Sequence, residues 1–301
     1  MGWPLIGTMW TFLRAFKSSN PDSFTSDLVK RYGPTGIYKT FMFGSPSVIV
    51  TKPETMKRVM TDDDAFMPGW PKSTVELMGK KSFVSISYEE HKRLRKLTAA
   101  PINGYDALCV YLKYIEEIVV IELEKWSKMG KIEFLTRLRK LTFKIIMHIF
   151  LGEESEPVME ALENEYTALN YGVRAMTINI PGFAYHKALT IFDLGYLIPK
   201  GWKALAWFRS VHMDPEIYPN PKEFNPSRWE GHTPKPCSFV PFGAGTMLCP
   251  GNDLAKLEIA IFLHYFVPGY EMERLNPKSP LRYLPHTRPI DNCLAIIKKL
   301  N

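Results

Sequence analysis

Along most of this chain apolar residues recur three or four positions apart, the spacing of a helix with one buried face. Ile115, Ile118, Val119 and Leu123 carry that period through Tyr111–Trp126, which Lys128-Met129-Gly130 closes. Phe134–Leu151 repeats it up to Gly152, and Val158–Tyr171 gives a further helix. Pro21-Asp22-Ser23-Phe24 opens a helix that Gly33-Pro34 ends, and Pro53 starts a short one running to Met60. Glu89–Ala99 predicts a basic helix bearing His91, Lys92, Arg93, Arg95 and Lys96. Leu254–Phe266 is apolar on nearly every side, so it predicts a buried helix, stopped by Pro268-Gly269. Shorter stretches read as strands. Ile37–Met42 and Val48–Val50 flank Gly44-Ser45-Pro46 as a hairpin, and Gly195–Trp202 reads as turn and strand. Asp62–Pro71 is loop, Asn179–Phe183 a turn, and Pro215–Trp229 a Pro-rich loop with a short helix. The expected class is mainly α with small β-sheets.

Composition narrows the picture. With 301 residues, 46% of them hydrophobic, the chain can bury a large core as one big domain or two. Cys109, Cys237, Cys249 and Cys293 lie far apart with no Cys-x-x-Cys pair, which excludes a disulfide framework and a zinc site and suits a reducing compartment. A net charge of +7 fits an anionic membrane surface or an acidic protein partner. No nucleic-acid-reading motif is visible, so nucleic acid is not an expected partner. No apolar stretch is long enough to span a bilayer.

The chemistry concentrates in Pro241-Phe242-Gly243-Ala244-Gly245-Thr246-Met247-Leu248-Cys249-Pro250-Gly251, just ahead of the apolar helix. A single thiolate in a Gly-punctuated loop at a helix start can hold a haem iron, since the macrocycle supplies the other four ligands. The helix dipole favours the anion. The alternative is a buried structural cysteine after a Gly-rich turn. Phe242, Gly245, Cys249 and Gly251 at these spacings resemble the haem-binding signature of the cytochrome P-450 monooxygenases.

Further residues extend the resemblance. Phe224-Asn225-Pro226-Ser227-Arg228-Trp229 is similar to the family's Phe-x-Pro-x-Arg-Trp segment, whose Arg joins a buried ion-pair network; a surface Arg beside a structural Trp is the other reading. His91 and Arg95, four apart and so on one helical face, resemble the residues that hold haem propionates, against a solvated basic face as the alternative. Asp63–Thr74 and Val173–Met176 fall where the family shapes its substrate pocket. Within the family, Gly2–Gly7, Glu89–Arg95, Tyr171–Met176 and Cys249–Glu258 resemble the plant oxidases that act on ent-kaurenoic acid. Triterpenoid oxidases of the beta-amyrin type fit the first half less well.

The resemblance implies a haem-thiolate monooxygenase of plant diterpenoid (gibberellin) biosynthesis. Cys249 would be its catalytic axial ligand, with Phe242, Gly245, Gly251, His91 and Arg95 holding haem b. It implies a small apolar terpenoid acid as substrate, an NADPH-dependent reductase as electron source, and residence at the endoplasmic reticulum membrane, the N-terminal anchor being absent from this chain. Residues 1–190 would form an N-terminal helical and hairpin portion, and 191–301 the haem-binding portion.

The sequence also departs from the family. Thr190-Ile191-Phe192-Asp193-Leu194-Gly195 runs directly into the later strand, so the expected fold is P-450-like but lacks its central helices. The absent region would carry the helix over the haem and the Glu-x-x-Arg partner of Arg228. Met247 stands where the family places Arg or His, and offers a propionate no donor. These departures leave two further readings open, a non-catalytic truncated fragment and a misjoined gene prediction, and lead us to expect little or no turnover.

Overall fold

The computed structural model describes residues 7–67, 69, 70, 75, 78, 79, 82, 83, 85–152, 159–174, 198, 201–231, 233–284 and 286–300. In chain order they form α1 (Met9–Lys17), α2 (Asp22–Tyr32), β1 (Ile37–Met42), β2 (Ser45–Val50), α3 (Pro53–Thr61), α4 (Tyr88–Asn103), α5 (Tyr105–Lys128), β3 (Lys131–Glu133), α6 (Phe134–Leu151) and α7 (Met159–Arg174). Then follow β4 (Lys203–Ala206), α8 (Phe208–His212), α9 (Asn252–Gly269), β5 (Tyr270–Arg274), β6 (Leu281–Arg282), β7 (Arg288–Pro289) and β8 (Leu294–Lys299). The chain makes two compact units, Met1–Pro71 with Thr177–Cys249 and Lys72–Met176 with Pro250–Asn301. The portions 1–190 and 191–301 thus each contribute to both units.

The first unit is built on a three-stranded sheet in the order β1-β2-β4. Met42 pairs with Ser45, so Phe43 and Gly44 form a two-residue turn, at φ 51° and 72°. Positive φ at both positions matches the twist of the strands it joins. β4 runs parallel to β2, Ser47 facing Lys203 and Val50 facing Ala206. Beside the sheet, Phe12, Phe24 and Trp207 pack with ring centroids 5.2–5.9 Å apart. Arg209 of α8 donates to both carboxylate oxygens of Asp22 on α2, at 2.6 and 3.1 Å, holding α8 against α2. Pro53 sits in the first turn of α3 and Met56 is fully buried with Val211 and Val240, which seats the chain leading to Cys249.

In the second unit α5, α6 and α9 enclose a core of Ile115, Ile118, Leu123, Trp126, Leu141, Ile145 and Leu254. The sheet β3-β8-β5 closes it through Ile132 and Ile297. β8 is central, so Ala295 and Ile297 are fully covered.

The predicted helices recur with shifted ends. α6 keeps the expected bounds, whereas α5 begins at Tyr105 and α4 continues through Pro101 to Asn103. α9 likewise continues through Pro268 to Gly269. The expected burial of this last helix is not met. Leu254 is its one fully buried residue, while Ile259, Leu263 and Val267 are 55%, 48% and 65% exposed. Core neighbours cover one side of α9 and leave the other bare. No helix among the described residues is long and apolar enough to cross a membrane.

Candidate functional site

The Cys249 loop is held by backbone bonds from within and by the end of α3 from outside. Gly243 N–H donates to the Val240 carbonyl (3.1 Å), Leu248 N–H to Gly245 (3.1 Å) and Cys249 N–H to Phe242 (2.8 Å). These bonds draw Phe242 and Cys249 together across the loop. Gly245 lies at φ +62°, and a Cβ there would meet the Met60 carbonyl oxygen at 1.9 Å. Only glycine allows that backbone approach. Thr246 adds a second tie, its hydroxyl donating to Asp63 Oδ1 at 2.8 Å.

Beneath the loop, Val240 N–H donates to His212 Nε2 at 3.0 Å, which requires that nitrogen unprotonated. Burial holds His212 below the ordinary histidine value, in keeping with that bond. Tyr218 donates its hydroxyl to the Ser238 carbonyl at 3.1 Å. The Cys249 thiol is half-buried on this platform and joins no disulfide. α9 begins three residues later, at Asn252 after Gly251.

Arg228 departs from the expected family role. It is half-buried, and its guanidinium donates to the carbonyls of Pro219 (3.3 Å), Asn220 (3.2 Å), Glu223 (2.7 Å) and Asn225 (3.2 Å). Backbone acceptors, rather than a carboxylate, satisfy the charge.

Gly251, His91 and Arg95 belong to the second unit. His91 and Arg95 lie one turn apart on α4, both half-buried, with Phe83 edge-on to the His91 ring at 5.7 Å. Arg95 makes no ion pair among the described residues, whereas Arg93 pairs with Glu90 at 2.7 Å. Asn103, the last residue of α4, bonds through Nδ2 to the Pro250 carbonyl, and Leu254 N–H donates to its Oδ1 at 3.4 Å. The helix bearing His91 and Arg95 is therefore tied to the backbone just after Cys249.

The structure gathers Phe242, Gly245 and Cys249 in one loop, and Gly251, His91 and Arg95 in the unit that continues from it. Asn103, Thr246 and His212 were not expected to matter. No sequence signal marks them, because their partners lie 28 to 183 residues away. The expected turn at 179–183, the passage from 190 to 195 and the side chains of Val173–Met176 and Met247 lie outside the described residues.

Haem b requires one axial donor from the protein and cations at its propionates. A thiol in a loop fixed by its own backbone bonds fits the first need, and His91 and Arg95, half-buried one turn apart on α4, fit the second.

Comparison with known proteins agrees. The family profile described as Cytochrome P450 matches residues 1–194 and 185–288. Ent-kaurenoic acid oxidase 1 of Arabidopsis thaliana is 47% identical, covering 99% of this chain and 89% of that protein. The Oryza sativa subsp. japonica ent-kaurenoic acid oxidase is 41% identical, over 100% and 88%. Beta-amyrin 11-oxidase of Glycyrrhiza uralensis is 34% identical, over 100% and 90%. The Arabidopsis alignment runs over 438 positions and takes in 99% of the 301 residues of this chain, an excess of about 140. The two profile matches meet at 185–194, which places the break where the sequence passes directly to the later strand. Among solved structures, retinoic acid bound cyanobacterial CYP120A1 superposes with a TM-score of 0.76 at 20% identity, covering 100% of this chain and 98% of that one. Ligand-free cytochrome P450 OleT gives 0.78 at 12%, over 99% and 98%. These two likenesses speak for the fold. The chain belongs to the cytochrome P450 family of haem b monooxygenases.

Proposed function

We propose that this chain is a haem-thiolate oxidoreductase of plant diterpenoid metabolism whose substrate is ent-kaurenoic acid. The observation that carries the reading is the pinned Cys249 loop in a chain 41–47% identical, nearly end to end, to ent-kaurenoic acid oxidases of Arabidopsis, rice and barley. The 7,8-epoxymelianol synthases reach 38% and beta-amyrin 11-oxidase 34%, which supports the ent-kaurenoic acid reading over a beta-amyrin-like one.

In this reading Cys249 would supply the thiolate that holds the haem iron. Phe242 and Gly245 fix the loop from which it projects, and Gly251 starts the helix that presents positive dipole toward it. His91 and Arg95 would donate to the propionates. When bound, the haem activates dioxygen, so that one oxygen atom enters the substrate and the other leaves as water, with two electrons from an NADPH-dependent reductase. The basic surface of α4 suits an acidic reductase, and the endoplasmic reticulum membrane is the proposed location.

A second reading is a chain that ligates haem without turnover. The excess of about 140 aligned positions in the Arabidopsis relative supports it, since this chain has no counterpart for that much of the relative. The purified chain, loaded with hemin and reduced under carbon monoxide, separates the cases. A thiolate-type Soret band that Cys249→Ala abolishes, with oxidation of ent-kaurenoic acid, supports the first reading. The same band without product supports the second. Absence of Cys249-dependent ligation overturns both.

A further inference from the structure

We infer that the first unit holds a second ligand site, apart from the Cys249 loop, that takes a small apolar molecule bearing one carboxylate. A cleft of about 1050 Å³ opens between α2, the link from β2 to α3, and the chain from α8 to Glu223. All of its lining belongs to the first unit, and none of it to the Pro241–Gly251 loop. Clefts of this size, with a few polar groups set among apolar ones, are where proteins hold small molecules.

The charges of the cleft sort by burial. Lys30, Glu216, Lys222 and Glu223 are exposed, so water screens them. Three charged groups are half-buried. Asp22 is already engaged, by Arg209 at 2.6 Å and Lys222 at 3.5 Å. Asp214 Oδ1 accepts the Glu216 N–H at 3.0 Å. Lys52 forms no ion pair among the described residues. Beside these groups Ser210 Oγ is fully buried with no hydrogen-bond partner. A buried hydroxyl left unpaired costs free energy that a bound acceptor recovers. One cation and one hydroxyl donor, both without acceptors, call for an anion.

Asp22 and Asp214 limit the charge of that anion. The dianion of a phosphate ester would be repelled by both, whereas a carboxylate brings a single charge. Val29, Pro34, Met213 and Pro221 offer contact to an apolar body. The cleft also adjoins the platform of the Cys249 loop. Ser210 and Met213 flank Val211, packed with Met56 and Val240, and His212, bonded to the Val240 N–H. A ligand on Ser210 and Met213 should therefore brace that platform.

Isothermal titration of the purified full chain, without haem, tests this with naphthoate as the probe. Saturable one-to-one binding is expected, together with a rise in thermal midpoint. Naphthamide, of similar shape but uncharged, should bind at least tenfold more weakly. Lys52→Met keeps the stem that lies over Gly36 and removes the charge, and should weaken naphthoate at least tenfold. Ser210→Ala should weaken it about threefold. Lys113→Met, which removes an exposed charge on α5, and Cys249→Ala should both leave it unchanged. Circular dichroism checks that each variant keeps the fold. The proposal is overturned if naphthoate shows no saturable binding, if naphthamide binds as tightly, or if Lys52→Met leaves the affinity intact. Tighter binding of naphthyl phosphate than of naphthoate overturns the carboxylate assignment, and loss of binding in Cys249→Ala overturns a separate site. The readout needs neither haem nor turnover, so its failure leaves the proposed function standing.

Discussion

Replacing Glu258 with Gln should stabilise this protein at alkaline pH and leave it unchanged in acid. The carboxyl lines an apolar cavity with no partner among the described residues, and burial lifts it from 4.5 to about 7. Each pH unit of separation between folded and unfolded states is worth about 1.4 kcal/mol, so the gap amounts to about 3 kcal/mol. The folded state binds this proton more tightly than the unfolded one. Stability from this group is therefore full below pH 4.5, declines as pH rises, and is lost above about 7. Gln keeps the shape without the charge, so the variant should be more stable by about 3 kcal/mol at pH 8 and equal at pH 4. Urea unfolding at pH 4, 6 and 8 measures this directly. A difference independent of pH, or a variant weaker at pH 8, would refute the claim that Glu258 is an unpartnered carboxyl.

Three more outcomes follow from the loop and its supports. Gly245→Ala forces a Cβ toward the Met60 carbonyl at positive φ and should cost at least about 2 kcal/mol, read as a fall in thermal midpoint together with weaker hemin binding. Asn103→Leu removes both bonds between α4 and the start of α9 and should cost about 1–3 kcal/mol in urea unfolding, with Asn103→Asp recovering the acceptor half. His212 is held below the ordinary histidine value of 6.5, so its contribution is present above pH 6.5 and lost as pH falls below it. In His212→Phe that acid-side loss should vanish from the pH–stability curve, while the wild-type curve keeps it.

What could be read from the sequence was local. α2, α3 and α6 carry their own boundary residues, Gly33, Pro53 and Gly152, and the β1–β2 hairpin was legible, although it turns at Phe43-Gly44 and takes the expected turn residues Ser45 and Pro46 into β2. The Cys249 loop was legible for the same reason, since the bonds that shape it join residues no more than seven apart. α1 was not expected, because it is nine residues long with no side-chain cap bond at its start. β5 reads Tyr-Glu-Met-Glu-Arg and is made a strand by pairing with β8, Tyr270 opposite Lys299, a register that no local pattern specifies. The supports of the site were invisible in the same way, Asn103 acting across 147 residues and Thr246 across 183. α9 failed for a different reason. Its hydrophobic pattern runs round the whole helix, but the core neighbours cover one side only, leaving Ile259, Leu263 and Val267 exposed.

Holding a thiol and enclosing a substrate are separate tasks here, because the break spares one and removes material for the other. Met60, Asp63, Asn103, His212, Tyr218, Phe242 and Thr246 all lie outside 185–194, where the two family matches meet. Every observed support of the Cys249 loop and of the residues following it therefore survives, with its bonds made. α9 meanwhile keeps an exposed apolar stripe and a Glu258 carboxyl with no partner among the described residues, and Arg228 donates to nearby backbone carbonyls. A signature motif tests only the first task. In this chain ligation should therefore outlast turnover, and a Cys249-dependent Soret band without oxidised product is the result that would show it.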